Sequence, residues 1–307
     1  MTPMKHAVRV SSFRKSYGGV AAVDGISFDV QMGEIFGLLG PNGAGKTTTL
    51  ECLEGIRRPD AGSLQVLGVD PARDPRALRH VLGIQLQASG LPADMLVAEA
   101  MRFFCAYRGV EPRDDLLERF GLGEKRQSPY RQLSTGQQRR LALALAVAPG
   151  PKVIILDEPT AGLDVATRAE LHTMMAELKQ AGTTILLATH DMAEAEKLAD
   201  RVAILLKGKI VAIGSPQQLT ATGSGLTKIS VRTEMGVGDL TEAGLPSAFR
   251  LMFKDEYAVI YSEDPGATIV ALIKHIEAKK DKLVDLRVER PSLEERFLEI
   301  TNLGGQA

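Results

Sequence analysis

Residues 35–48 read Ile-Phe-Gly-Leu-Leu-Gly-Pro-Asn-Gly-Ala-Gly-Lys-Thr-Thr, an apolar segment followed by a glycine-rich loop that ends in lysine and threonine. The apolar part, residues 35–39, predicts a buried strand, and a helix is predicted to begin near Lys46. In this strand–loop–helix order, glycines let backbone N–H groups face inward around a phosphate, and the helix N-terminus adds partial positive charge. A chance glycine turn is the alternative, but the context favours a nucleotide phosphate site.

The individual residues of this loop have predicted roles. Lys46 would reach the β- and γ-phosphates, and Thr47 would hold Mg²⁺ through its hydroxyl. The residues predicted to line the phosphates are Gly40, Pro41, Asn42, Gly43, Ala44, Gly45, Lys46, Thr47 and Thr48.

A second apolar segment, residues 153–156, delivers Asp157 and Glu158 at its C-terminal end. Ligands bind at this end of the strands in open α/β sheets. Asp157 is therefore predicted to bind Mg²⁺, and Glu158 is predicted to be the general base that polarises the attacking water. Taken alone, an apolar run before Asp-Glu could simply be a strand end.

The segments between and after these strings alternate between strand and helix patterns, which predicts an α/β domain around a largely parallel sheet. Between about residues 88 and 150 the pattern is wholly helical and indicates a helical insertion in this core. The other predicted strands are residues 7–13, 26–30, 81–84, 184–188 and 202–206, with a terminal hairpin at 205–211 and a closing helix at 216–221.

The polar stretch Thr222-Gly223-Ser224-Gly225 is small and flexible, which predicts a domain boundary there. We therefore expect a first domain at residues 5–222 and a small α+β domain at 226–307. The second domain has the predicted order βαββαβ of a ferredoxin-like unit, with a short helix near Asp239 and an additional helix at 292–301.

Composition excludes several classes of protein. Lys plus Arg (37) nearly balance Asp plus Glu (38) in a chain of 307 residues, so a nucleic-acid partner is not expected. Cys52 and Cys105 match no metal-ligand spacing and are interpreted as small buried residues of a reducing cytoplasm. The densest apolar run, residues 141–148, is far shorter than the roughly 20 residues of a membrane-spanning helix.

The string Ser134-Thr135-Gly136-Gln137 lies at the start of a predicted helix between the two phosphate-related strings. A serine hydroxyl, a glycine backbone and a helix N-terminus converge there, which makes a second anion site. A plain helix cap is the alternative, since serine is a good N-cap residue.

With these strings in this order, the chain resembles the nucleotide-binding subunit of an ABC transporter over about residues 5–220. The resemblance implies a RecA-like P-loop NTPase core with an ABC β-subdomain and a helical insertion, and ATP with Mg²⁺ as cofactors. It also implies that Ser134, Gly136 and Gln137 contact the nucleotide bound to a partner subunit. The family string usually has glycine where this chain has Thr135.

The resemblance assigns four further residues. Tyr17 stands where the family stacks an aromatic ring on adenine, with a buried core tyrosine as the alternative. Gln87 matches the glutamine that contacts Mg²⁺ and water, although Gln85 competes for this role. Asp164 matches the aspartate that communicates between two ATP sites, and His190 is expected to hold the γ-phosphate and Glu158 rather than to be an ordinary surface or core histidine.

The C-terminal string from Arg290 to Glu299 resembles the extension of drug-efflux and polysaccharide- or nodulation-factor-export ATPases. The resemblance implies an exporter motor, dimeric with itself or a related subunit, on the cytoplasmic face of the cell membrane. A separate transmembrane permease would dock in a groove near residues 91–107, and the C-terminal domain would serve dimerisation and docking. A soluble ABC ATPase that remodels a protein complex is the alternative, and a DNA- or ribosome-acting protein, a GTPase and a dinucleotide-binding protein are disfavoured.

Overall fold

The computed structural model describes residues 6–85, 90–221, 226–289 and 292–303, which form two compact units divided after Ser215. The strands of the first unit are β1 (His6–Tyr17), β2 (Val20–Gln31), β3 (Ile35–Leu39), β4 (Ala61–Val66), β5 (Leu82–Gln85), β6 (Val153–Asp157), β7 (Thr184–Thr189), β8 (Arg201–Leu206) and β9 (Lys209–Gly214). Its helices are α1 (Lys46–Leu53), α2 (Pro75–Val81), α3 (Val97–Arg108), α4 (Asp114–Arg119), α5 (Thr135–Val147), α6 (Val165–Gln180) and α7 (Met192–Leu198).

The central sheet of the first unit has the strand order β5-β6-β7-β3-β8-β9 and is parallel except for the last pair. Every residue of β3, β6 and β7 is buried, which is why these segments are largely apolar rather than alternating. Leu39 is paired with Thr189 and Asp157 with Ala188, so the residues after these three strands meet at one edge of the sheet. This edge positions the candidate site.

Two smaller parts complete the first unit. The antiparallel sheet β2-β1-β4 packs its apolar side chains together with those of β3 and α1. Helices α3, α4 and α5 lie between β5 and β6 in the chain and share an apolar core, as expected for the predicted helical insertion. Both cysteines are buried, as predicted; the Cys105 sulfur contacts that of Met101 at 3.6 Å.

The second unit contains α8 (Pro216–Ala221), β10 (Thr227–Thr233), β11 (Ala248–Lys254), β12 (Tyr257–Ser262), α9 (Pro265–Ala278), β13 (Leu283–Glu289) and α10 (Leu293–Leu303). Its antiparallel sheet has the order β11-β12-β10-β13 and packs one face on α9. This is the strand order of a ferredoxin-like unit.

Three sequence predictions differ from this arrangement. The predicted helix near Asp239 is wrong, because the structure has only a 3₁₀ turn at Glu242–Gly244 in that connection. The glycines at 236, 238 and 244 explain the difference, since glycine weakens helices. Helix α8, predicted to close the first domain, belongs to the second compact unit and contacts α10. The strand predicted at 81–84 begins one residue later, after α2. The predicted domain boundary at 222–225 lies outside the described residues, so it stays a prediction.

Candidate nucleotide-binding site

The loop between β3 and α1 approaches neighbouring backbone too closely for any residue but glycine at both of its ends. A Cβ placed on Gly40 would lie 2.3 Å from the Leu205 carbonyl oxygen. Gly45, the N-cap of α1, has φ 105°, and a Cβ placed on it would lie 2.5 Å from the Ala22 carbonyl oxygen. Among the described residues, no side chain caps α1. The first N–H groups of this helix are therefore left for a ligand, as in a phosphate-binding helix terminus.

Lys46 lies under this loop with only 5% of its surface exposed. Its ammonium donates hydrogen bonds to the carbonyl oxygens of Gly40 at 2.7 Å and Pro41 at 3.2 Å, and lies 3.8 Å from Glu158 Oε1. Burial lowers the pKa of Lys46, while the neighbouring carboxylates of Glu158 and Asp157 oppose this shift. The loop thus holds the Lys46 ammonium where it can contact a bound phosphate.

Asp157 and Thr47 form the second part of the site. The Thr47 hydroxyl donates to Asp157 Oδ2 at 3.2 Å, and Asp157 is 4% exposed. Burial raises the pKa of Asp157, and the hydrogen bond from Thr47 acts against this. Asp157 Oδ1 is buried and has no hydrogen-bond partner among the described residues. An unpartnered carboxylate oxygen beside a hydroxyl is a donor set that suits a hard cation such as Mg²⁺.

Glu158 stands between Lys46 and His190. Its backbone has φ 49°, an unusual conformation outside glycine, and its N–H donates to the Ala188 carbonyl at 2.9 Å. Glu158 Oε2 lies 2.6 Å from His190 Nδ1; the glutamate side chain is 7% exposed and the histidine side chain 54%. The ends of β6 and β7 therefore bring together the two residues that the sequence predicted to act on the γ-phosphate and water.

Ser134 and Gln137 form a reciprocal cap at the start of α5. Ser134 Oγ accepts from the Gln137 N–H at 3.2 Å, and Gln137 Oε1 accepts from the Ser134 N–H at 3.0 Å. The plain cap that the sequence left open is therefore present. Ser134 and Thr135 are exposed, so the outer surface of this turn is available to another molecule.

Residues 23–161 match the model of the ABC transporter family. Nod factor export ATP-binding protein I of Ralstonia nicotianae is 37% identical over 300 residues, covering 95% of this chain and 92% of that protein. Daunorubicin resistance ATP-binding protein DrrA3 of Streptomyces coeruleorubidus is 34% identical over 302 residues, covering 96% of each. The chain belongs to the ABC transporter family.

Solved structures agree with this assignment. The ATP-binding subunit of an ABC transporter has a TM-score of 0.65 and 28% identity, covering 69% of this chain and 91% of that chain. CbiO1 of Clostridium perfringens has a TM-score of 0.61 and 30% identity, covering 71% and 92%. This chain is thus an ATP-binding ABC ATPase, as the sequence predicted. Among the described residues, no helix is both long and apolar enough to cross a membrane.

Asp164 of this ABC ATPase caps α6. Its carboxylate accepts from the Thr167 N–H at 2.9 Å and from the Thr167 hydroxyl at 2.8 Å, and these hydrogen bonds, the backbone one foremost, lower the pKa of Asp164. A Cβ on Gly136 would lie 2.4 Å from Thr167 Cγ2. Thr167 therefore contacts both the Ser134–Gln137 turn and Asp164, a connection that no spacing in the sequence predicts.

Tyr17 ends β1 and is 41% exposed, so it is not the core tyrosine that the sequence left open. The Lys15 ammonium lies 5.6 Å and the Arg57 guanidinium 5.3 Å from its ring centroid. Two cations beside an exposed ring constrain its position while leaving ring surface for a base.

Of the two candidate glutamines, only Gln85 lies among the described residues. Gln87 lies outside the described residues, so its predicted role stays a prediction. Gln85 ends β5, is 1% exposed, and neither of its amide atoms has a partner in the described parts of the chain.

A cavity of about 570 Å³ lies between the central sheet and the helical insertion, and both Gln85 and Glu54 line it. Aromatic side chains of the insertion, Phe104 and Tyr107, also line it. Burial raises the pKa of Glu54 from 4.5 to about 8, with Asp157 and Glu51 adding to the effect. The cavity is thus mostly apolar, and its lining includes the side chains of Glu54 and Gln85, which have no hydrogen-bond partner among the described residues. This combination is typical of a surface that receives another molecule.

Proposed function

We propose that this chain is the motor of an ABC exporter and drives transport through a separate transmembrane permease. The relatives named above are a Nod factor export protein and a daunorubicin resistance protein, and both align with this chain over nearly its full length. The observation that carries the proposal is the contact of Glu158 with both Lys46 and His190 at the end of the central sheet.

The phosphates of ATP would lie on the loop from Gly40 to Thr48, whose N–H groups and helix terminus favour negative charge. Lys46 would exchange its contact with Glu158 for the β- and γ-phosphates. The adenine would stack on Tyr17, a contact that tolerates different bases because every base has a π-face.

Thr47 and Asp157 would hold Mg²⁺, with Gln87 as the predicted third contact. The ion would neutralise charge on the phosphates. Glu158 would accept a proton from the attacking water, and its close contact with His190 would hold both side chains in place for this step. His190 is also expected to contact the γ-phosphate, since its ring is more than half exposed at the same edge.

A second copy or a related ABC subunit would complete the site. Ser134, Gly136 and Gln137 of the partner subunit would close over the γ-phosphate, and Asp164 would link the two ATP sites. The exposed outer surface of the Ser134 turn supports this arrangement.

The permease is expected to dock in the cavity lined by Glu54, Gln85, Phe104 and Tyr107. This docking would place the chain at the cytoplasmic face of the membrane. Residues 226–307 are expected to assist dimerisation and docking, and the exposed Phe249 and Phe253 of β11 are consistent with such a role.

The base assignment can be tested with Glu158→Gln. We expect ATP binding to persist and kcat to fall by about 10²–10⁴, because a general base contributes this much. Since bound ATP would then survive, the variant should form a dimer at saturating ATP and Mg²⁺, measured by light scattering. Glu124→Gln, the same change at an exposed position of the helical insertion, is the matched control and should behave as the unmodified protein. Loss of ATP binding with unchanged kcat would contradict the assignment.

A further inference from the structure

Three polar side chains meet in the interior behind the strand end that carries Glu158. Thr160, His172 and Glu194 are only 4%, 6% and 2% exposed. The Thr160 hydroxyl donates to Glu194 Oε1 at 2.6 Å, and His172 Nε2 lies 3.1 Å from the same oxygen. None of the three was singled out by the sequence, and none belongs to the nucleotide site described above.

Stability alone is a poor explanation for this cluster. Glu194 Oε2 and His172 Nδ1 are buried without a hydrogen-bond partner among the described residues. Buried polar groups that are only partly satisfied are costly, and apolar side chains of similar volume often fill such a place at least as well. A polar cluster of this kind is better explained by the geometry that it imposes on the chain.

The three side chains come from the three segments that carry the proposed catalytic and signalling residues. Thr160 follows Glu158 by two residues, Glu194 follows His190 by four, and His172 is on α6, the helix that Asp164 caps.

A second contact joins α6 to α7. Asp191, the N-cap of α7, accepts from the Glu194 N–H at 3.0 Å and from the Arg168 guanidinium of α6 at 3.2 Å. Helix α7 is therefore fixed to α6 at its N-terminus and, through Glu194, to the segment that follows β6.

We propose that Thr160 and Glu194 are positioning residues for ATP hydrolysis. Their hydrogen bond holds the segment after β6 against α7, and this spacing keeps Glu158 Oε2 within 2.6 Å of His190 Nδ1. His172 holds the Glu194 carboxylate in the orientation that accepts from Thr160. The inference rests on the proposed role of Glu158, and it concerns kcat rather than ATP affinity, because the phosphate loop is built on β3 and α1.

The test is Thr160→Val in the full chain. Valine keeps the shape of threonine and removes the hydroxyl. We expect kcat to fall about tenfold with KM for ATP changed less than about twofold, because a small misplacement of a catalytic group slows chemistry without removing ground-state contacts. Thr160→Ser, which retains the hydroxyl, should restore kcat to within about threefold of the unmodified protein. Thr173→Val, the same change at an exposed position of α6, is the matched control and should leave kcat unchanged.

Combination with Glu158→Gln separates positioning from a general structural role. If Thr160 acts through Glu158, Thr160→Val should change the residual kcat of Glu158→Gln less than about twofold, since the group that it positions no longer acts as a base. An equal loss in both backgrounds, an unchanged kcat in the single variant, or a parallel change in KM would overturn the proposal. A normal kcat in Glu158→Gln alone would instead refute the base assignment.

If Thr160→Val does not fold, the hydrogen bond between Thr160 and Glu194 can be tested through Glu194, the residue that accepts it. Glu194→Gln keeps an oxygen that accepts from Thr160 and should retain kcat within about threefold, whereas Glu194→Met, of similar length, should lower it about tenfold. Equal kcat values for the two Glu194 variants would contradict the proposal.

Discussion

Helices α1 and α5 are both predicted to present their N-termini to an anion, but they are built in opposite ways. Helix α1 begins after Gly45, has no side-chain cap in the described part of the chain, and has the buried Lys46 and the carboxylate of Asp157 beside its first turn. Helix α5 begins after Ser134, which is capped reciprocally by Gln137 and exposed. The start of α1 is therefore enclosed by its own chain, whereas the start of α5 is exposed and is expected to contact a phosphate only when another molecule carries it there.

The largest effect is expected at Gly45, the glycine that begins α1 against neighbouring backbone. Gly45→Ala would place a methyl group 2.5 Å from the Ala22 carbonyl oxygen and would force an unfavourable φ of 105°, so the loop must shift. We expect ATP affinity, measured by isothermal titration calorimetry, to fall at least about 100-fold, because the inward-facing N–H groups lose their positions.

Gly182→Ala provides the matched control. Gly182 also has a left-handed backbone, with φ 90°, but a Cβ there meets no atom within 4 Å, and the residue lies outside the site. This control should lower stability by about 1 kcal/mol and leave ATP affinity unchanged. Normal ATP binding by Gly45→Ala would show that the close packing of the α1 loop is not what prepares it for phosphate.

At the start of α5, Gly136 is required by the Thr167 side chain rather than by neighbouring backbone, so replacing it is expected to have a smaller effect than replacing Gly45. A methyl group on Gly136 would lie 2.4 Å from Thr167 Cγ2, so Gly136→Ala should lower the free energy of unfolding by about 1–3 kcal/mol, as overpacking does. Thr167→Ser removes that methyl group and keeps the hydroxyl bonded to Asp164. The double variant should recover most of the lost stability in denaturant titrations. Failure of this rescue would mean that Thr167 is not the reason for glycine at 136.

Short sequence strings predicted most of the residues that the structure brings together at the candidate site. The glycine loop, Asp157, Glu158 and His190 each follow an apolar strand, and a parallel sheet necessarily brings such positions to one edge. The contacts that were missed join elements distant in the chain: Thr167 with Gly136, and Thr160 with Glu194 and His172. No spacing rule marks such pairs, because each residue alone is an ordinary residue of a helix or loop.

The fold was predictable to a similar degree and for a similar reason. Buried parallel strands are largely apolar, so β3, β6 and β7 stand out in the sequence. The short edge elements β4 and α2 were not predicted, because few of their residues are buried and their hydrophobic pattern is weak. The grouping of α8 with the second unit depends on its contact with α10, which is a tertiary property.

The smallest effect is expected at Thr135, where the family string usually has glycine. Thr135 is the first residue of α5, and the reciprocal cap between Ser134 and Gln137 forms around it. A helical backbone requires no glycine, and the threonine side chain is exposed rather than packed against α6. We therefore expect Thr135→Gly to change kcat less than about threefold and to lower the free energy of unfolding by less than about 1 kcal/mol, the ordinary cost of glycine in a helix. Steady-state ATPase assays and denaturant titrations would measure both quantities. A tenfold rise in kcat would instead indicate that the Thr135 side chain hinders closure of the α5 turn over the nucleotide.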